Sequence, residues 1–437
     1  MNGAPESSLK NFEPKKFLFV SLESLSGDLA WHIKEEGHEV KAYIKAKNDA
    51  DVYNGFIEKI EDWREDIEWA DIIIFDDVEF GETADKLRKA GKLVIGGSRY
   101  TDRLEMDREF GQSELKRHGI NILPSWNFSD YDAAINFIKN NPDRYVFKPS
   151  GNTPSGGKGL LFLGEEENGR DILEILEQNK EIWRKKAPVF QLQKYVQGVE
   201  IAVGAFFNGK DFIYPININF EHKRIFPGNL GPFAGEMGTL MFWTYSHPLF
   251  KSTLEKMKMA LAESGYIGYV DINTIVNGRG IYPLEWTCRF GYPTIQIQQE
   301  GILTPIGEML FKLAKGENFE LKTKKGFQIG VRIVVPSYLT KKDEEVINLY
   351  HDLPILFKKP GLEGIHIEDV KIENGVWRAA GVSGCLLAIT GSGSTVMEAR
   401  KQVYSRISNI MIQNAFYRVD IGLNWLEDSD KLQTWGY

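Results

Sequence analysis

The sequence predicts a multidomain fold of mixed α/β and α+β class, with an N-terminal parallel-sheet domain, a small lid, a larger body and a small C-terminal α+β domain. Three observations carry this expectation. The chain has 437 residues, too many for one ordinary core, and 42 % are hydrophobic, enough to fill several. Near the N-terminus, short apolar runs alternate with helical stretches, the mark of parallel βαβ units. Further on, strands and glycine-rich turns replace that alternation.

Lys16–Val20 reads as a buried strand, Gly27–Glu36 as a helix and Glu39–Tyr43 as a second strand. Ala70–Phe75 and Lys92–Gly96 add apolar strands around the helix-like span Glu82–Ala90, and the first domain is expected over 15–115. A helix at Tyr131–Lys139, a strand at Tyr145–Lys148 and a loop before Gly159–Leu163 make 116–194 the lid. Several strands make 195–320 the body; the last domain, 326–425, holds a strand at Gln328–Val335 and, by its apolar spacing, a long amphipathic helix at Thr395–Ala415. Neither an internal repeat nor a low-complexity block stands out.

A formal net charge of −8 gives no general attraction for polyanions, so nucleic acid is not an expected partner. The two cysteines, Cys288 and Cys385, form no CxxC pair, which argues against a disulfide framework or structural zinc and for a reducing cytoplasm. Residues 1–16 lack an apolar signal core, and no run approaches the roughly twenty apolar residues that cross a bilayer. The expectation is a cytoplasmic monomer or dimer that does not enter membranes.

Candidate chemistry gathers in a few segments. Lys148 ends a strand and precedes a loop with Ser155, Gly156, Gly157, Lys158 and Gly159, whose backbone N–H groups can approach phosphate oxygens while lysines neutralise charge; a surface hairpin is the alternative. Gln193, Lys194, Tyr195 and Val196 lie at a strand end, where backbone groups can pair with an adenine edge, and Glu200 can meet ribose hydroxyls; a plain strand and turn is the alternative. Lys223 and Arg224 precede a glycine-rich turn through Gly231, Pro232, Gly235, Met237 and Gly238, a loop suited to wrapping a small anionic substrate. Glu285 is the best metal-ligand candidate, since Mg2+ prefers carboxylate and phosphate oxygens, with a surface salt bridge as the alternative; Asp271 and Asn273, two apart on one strand, share a face that can add an oxygen. Arg289 can stabilise developing negative charge through its permanently charged fork, or pair structurally with Glu285. His222 is not expected to be a catalytic base, and Cys288 is expected in the core, facing away from Glu285 and Thr287.

The stretches Glu221–Gly238 and Leu284–Pro293 resemble the glycinamide ribonucleotide synthetase (phosphoribosylamine–glycine ligase) family of ATP-grasp enzymes, whose patterns read roughly DHKRxxxGDxGPNTGGMG and LEFNxRFGDPE. Gly96-Gly97-Ser98 with Leu104-Glu105, the Lys148–Gly159 loop, Glu398-Ala399-Arg400 and Phe416–Gly422 extend the resemblance along nearly the whole chain. It implies ATP with Mg2+ or Mn2+, phosphorylation of glycine or a related amino acid, and attack of an amine on the acyl phosphate. It makes Lys148 the ATP-contacting lysine and the loop after it the phosphate-covering lid. Arg108 takes the approximate place of another ATP-contacting lysine, and Thr287 that of a metal-binding asparagine.

One segment departs. The first βα turn of the family, GxGGREHAL, is replaced by Ser21–Trp31, in which Glu23 and Asp28 disfavour a phosphate and favour a different, cationic amine substrate. The run Gly391-Ser392-Gly393-Ser394 carries no functional weight by itself. A nucleotide-binding protein without ligase turnover is the other class that Thr287 and Arg108 leave open.

Overall fold

The computed structural model describes residues 12–150, 160–340 and 343–437. Its first sheet is built around Lys16–Ser21, whose residues Phe17 to Val20 are buried on both faces. That strand pairs in parallel with Glu39–Ile44 on one side and Ile72–Phe75 on the other, with Glu58–Lys59 and Val94–Ile95 at the edges. Continuous apolar strands are what a parallel sheet covered on both faces requires. The expected βαβ start is present, with helices at Gly27–Glu35 and Gly81–Lys89.

The second unit is a four-stranded antiparallel sheet in the order Ser125–Phe128, Phe190–Lys194, Tyr145–Pro149, Phe162–Leu163. Helices Tyr131–Asn140 and Arg170–Lys186 complete it, and Tyr131, Ile135, Phe147, Leu176 and Phe190 give it a core of its own.

An eight-stranded antiparallel sheet dominates the remainder, in the order Gly280–Thr287, Gly268–Asn277, Val199–Phe207, Phe212–Glu221, Gly238–Thr244, Phe327–Val334, Cys385–Gly393, Ile365–Ile367. Its last three strands come from the C-terminal α+β segment, which therefore shares the body's sheet. Gly391 and Gly393 let a helix lie directly on their strand: a Cβ on them would come 2.6 Å from Val403 N and 2.4 Å from Ala399 N. That gives the Gly391–Ser394 run a packing role.

Two expectations are corrected. The C-terminal helix spans Val396–Ile407, started by a capping box of Thr395 and Glu398, and does not reach Ala415. Ile410–Met411 continue the apolar spacing but pair as a strand with Leu356–Phe357. Asp28 does not face a substrate: it is 1 % exposed, accepts from the backbone N–H of Ile367 (2.8 Å) and Gln299 Nε2 (3.0 Å), and pairs with His366 Nδ1 (2.8 Å). It ties the first helix to the C-terminal strand Ile365–Ile367. Among the described residues no helix is long and apolar enough to cross a membrane.

Candidate active site

Side chains alternate along Gly280–Thr287, so Glu285, Thr287 and, just beyond, Arg289 form one wall while Cys288 joins the core. That wall separates two cavities. The larger, about 560 Å³, is also lined by Lys148 of the strand Tyr145–Pro149, by Ser150 just beyond it, and by Arg108 and Gln112 from the helix Arg108–Arg117. Gln112 Nε2 reaches the carbonyl of Leu284 (3.4 Å), holding that helix to the wall. The smaller, about 200 Å³, is lined by Gly235, Glu236, Tyr269, Asp271 and Arg332 together with Glu285, Thr287 and Arg289.

Lys148 is buried, and that burial, aided by the like charge of Arg108, pushes its ammonium down to about 7. Such a cation regains its charge when an anion arrives. Lys223 sits among carboxylates: Nζ lies 2.9 Å from Glu200 Oε1, 2.9 Å from Glu285 Oε1 and 3.5 Å from Glu221 Oε2. Burial opposes its charge, but Glu200, Glu285 and Glu221 together hold its ammonium well above the usual range. In return Lys223 draws the carboxyl of Glu285 down to about 2, so Glu285 is ionised at any working pH. Asn273, directly across the strand pair from Glu285, gives Nδ2 to Glu221 Oε2 (2.9 Å) and leaves its buried Oδ1 without a partner among the described residues. Asp271 lies across from Thr287 and is buried.

Arg289 pairs with Asp77 (3.0 Å) and Glu105 (3.2 Å), and the alternative of a pair with Glu285 is not realised. Those two carboxylates, working against burial, raise its already high pKa and anchor the wall to the N-terminal unit. Arg224 is engaged in its own hairpin, donating to the Gly231 carbonyl (2.5 Å) with its guanidinium 4.4 Å from the Phe233 ring centre. With Glu200, Lys223 and His222 it lines a third cavity of about 330 Å³. Burial pushes the His222 imidazole down to about 4.

Several candidates lie elsewhere. The N–H groups of Lys194 and Tyr195 donate to the carbonyls of Pro124 and Arg144 (both 2.9 Å), so neither is available to an adenine edge. Lys194 Nζ reaches Asp143, and Tyr195 stacks under Arg144; Gln193 is buried, and neither it nor Val196 lines these cavities. Met237 is fully buried against Ile225, Val334 and Tyr338, a core residue and not a substrate contact. Gly238 packs against the Gly330 carbonyl and Ile421, and Gly231 and Pro232 are exposed on the hairpin, so Gly235 is the residue of the five that reaches the smaller cavity. Glu23 is exposed and lines none of the three. Ser155, Gly156, Gly157, Lys158 and Gly159 lie outside the described residues.

The sequence reading passed over Glu236, Arg332, Tyr269 and Gln112. Glu236 carried a signal, since it stands where the pattern GGMG has a glycine. Arg332 did not, being one residue of an apolar strand.

Residues 106–295 match the family model described as phosphoribosylglycinamide synthetase, ATP-grasp (A) domain. The phosphoribosylamine–glycine ligase of Helicobacter pylori (strain J99) is 28 % identical over 357 residues, covering 78 % of this chain and 79 % of that one. The crystal structure of the Thermotoga maritima phosphoribosylamine–glycine ligase superposes with a TM-score of 0.68 at 19 % identity, covering 93 % of this chain and all of the other. The biotin carboxylase domain of Hydrogenobacter thermophilus 2-oxoglutarate carboxylase, solved with MgADP and bicarbonate, superposes with a TM-score of 0.65 at 15 % identity over 98 % of this chain and 100 % of that one.

Proposed function

We propose that this chain, whose residues 106–295 match the phosphoribosylglycinamide synthetase ATP-grasp domain and which is similar over most of its length to phosphoribosylamine–glycine ligases, is an ATP-dependent carboxylate–amine ligase joining glycine or a related amino acid to an amine. The observation that carries this reading is the shared wall of Glu285, Thr287 and Arg289, with phosphate-suited cations on one side and a small polar cavity on the other. In this reading 15–115 is a substrate domain, 116–194 the lid and 195–320 the catalytic body, with 326–425 closing the fold.

Lys148 and Arg108 face the larger cavity, where ATP phosphates would neutralise their mutual repulsion. Mg2+ or Mn2+ fits the hard oxygen donors of Glu285, Thr287 and Asn273, whose buried Oδ1 lacks a partner among the described residues, and would supply charge neutralisation at the phosphates. A substrate carboxylate oxygen attacks the γ-phosphorus, the bond to ADP breaks, and an acyl phosphate remains. The amine nitrogen then adds to the carbonyl carbon, phosphate leaves with its electron pair, and the nitrogen loses a proton. Arg289, held in place by Asp77 and Glu105, is set to stabilise the oxyanion of that addition.

A second reading keeps the chemistry and changes the amine to one without a phosphate. It is favoured at the start of the first helix, where the N–H and hydroxyl of Ser26 both donate to Asp76 Oδ2 (3.1 and 2.7 Å). The donors that would hold an anion there already hold a carboxylate of the chain.

The test is ADP release by purified protein with Mg-ATP, glycine, and pools of amino acids and amines. Lys148→Ala is expected to raise the KM for ATP, and Glu285→Ala to cut turnover by about 100-fold or more, because each removes a charge beside the phosphates. Unchanged turnover in both variants rules out the site. ATP binding with no carboxylate-dependent ADP release in any pool points instead to a nucleotide-binding protein without turnover.

A further inference from the structure

The smaller cavity is out of charge balance. Each cation on its wall already has carboxylate partners: Lys223 has Glu200 and Glu285, Arg289 has Asp77 and Glu105, and Arg332 has Glu368 at 2.8 Å. Glu236 and Asp271 have none. Glu236 Oε1 accepts a hydrogen bond from the Thr239 hydroxyl, and Asp271 Oδ2 accepts from Tyr269 Oη and Asn219 Nδ2 (both 3.0 Å). Among the described residues, neither carboxylate takes part in an ion pair, and Glu236 Oε2 and Asp271 Oδ1 have no hydrogen-bond partner. Both residues are more than nine-tenths buried, at 9 % and 4 % exposure, and both line the cavity. Two carboxylates this far buried, facing a small cavity and without an ion-pair partner of their own, are costly to ionise unless a cation arrives or they hold protons.

We propose that Glu236, with Asp271 beside it, binds the ammonium group of the amino acid whose carboxylate is activated at the Glu285–Thr287–Arg289 wall. This rests on the ligase reading and adds a specificity residue to it. The cavity of about 200 Å³ is large enough for a small zwitterion, with its carboxylate at the shared wall and its ammonium at Glu236 and Asp271. Glu236 replaces a glycine of the GGMG pattern, so this recognition belongs to the present chain and not to the pattern it resembles.

Titration supports the geometry. The groups around Glu236 are Glu221, Asp271, Lys223, Arg332 and Thr239; burial and then Glu221 push its carboxyl up to about 8, against Thr239, Arg332 and Lys223. An empty site at pH 7 therefore holds a proton, which an arriving ammonium expels.

Calorimetry with the full chain, Mg2+ and a non-hydrolysable ATP analogue tests this, titrating glycine against acetate, which is glycine without its nitrogen. The wild type is expected to bind glycine at least tenfold more tightly than acetate and to release a proton, read from the dependence of the heat on buffer ionisation. Glu236→Gln should lose both the preference and the proton release while binding the analogue unchanged, and Glu236→Gly should behave likewise if the glutamine variant folds poorly. Equal glycine affinity in the wild type and a folded variant overturns the inference. So does a variant that changes only the Mg2+ requirement, which would make the carboxylates metal ligands. Analogue binding without glycine binding also sinks it but leaves the nucleotide site standing, whereas no analogue binding defeats the ligase reading itself.

Discussion

Lys148 shows at the residue scale how burial sets a working range. Its ammonium is held down to about 7, first by burial and then by Arg108, so above that pH the empty site loses the charge a phosphate needs. Protonation then has to accompany nucleotide binding. Affinity for Mg-ATP should fall as pH rises through 7 toward 9, by at most about tenfold per unit. Measuring Kd from pH 6 to 9 in wild type and Lys148→Met checks this, the variant removing the titration; parallel profiles would reject Lys148 as the titrating group. Lys148 was conspicuous in the sequence as a charge ending an apolar strand before a glycine-rich loop, and Glu285 as a carboxylate four residues before Arg289 in a motif suited to a metal. The same reasoning misplaced Met237, since loop membership does not tell which way a side chain turns. Glu236 departs visibly from the glycine of the GGMG pattern, but what a carboxylate there would meet is not legible until the fold brings Asp271 to the same cavity.

At the scale of elements, the C-terminal motif acts as a clamp on the glycine-rich hairpin. Arg418 is fully buried; Nε and Nη2 grip the two oxygens of Asp420 (2.8 and 2.6 Å), while Nη1 donates to the Arg224 carbonyl and Asn229 Oδ1 (2.8 and 3.0 Å). Asp420 in turn accepts from the Gly228 N–H (2.8 Å). Removing one partner strands buried charge, so Arg418→Met should cost about 3–5 kcal/mol. Denaturant titration reads the loss, and hydrogen exchange should rise first over residues 224–233. A variant within about 1 kcal/mol of wild type would show that packing, not the clamp, holds the hairpin. Local pattern gave the parallel strands well, because their apolar runs fill both faces of a sheet. It overran the last helix, because Ile410 and Met411 keep helical spacing while their strand partners, Leu356 and Phe357, lie about fifty residues earlier in the chain.

Across the whole molecule, the turn after the first strand shows how distant segments decide what a site can bind. Sequence reading placed Glu23 and Asp28 there as a deterrent to phosphate, but Asp28 faces His366 and Ile367, and Glu23 is on the surface. The deterrent comes instead from Asp76, at the end of Ile72–Phe75, whose carboxylate takes the Ser26 donors and is pushed up to about 7 by its burial. Gly27 is pressed so closely on the Tyr53 ring that no room remains beside it, and Tyr53 Oη itself donates to the Ser24 carbonyl. A dianionic phosphate at that turn would have to displace Asp76 from its donors and lie next to it. Phosphoribosylamine should therefore be a poor substrate beside an amine that lacks a phosphate. The comparison is ADP release with glycine plus phosphoribosylamine, generated in place, against glycine plus phosphate-free amines. Asp76→Asn should narrow the difference by removing the competing charge. If wild-type protein turns over phosphoribosylamine with kcat/KM of about 10⁴ M⁻¹s⁻¹ or more, within the ordinary enzyme range, and neglects the other amines, the turn binds phosphate despite Asp76 and the phosphate-free reading is lost.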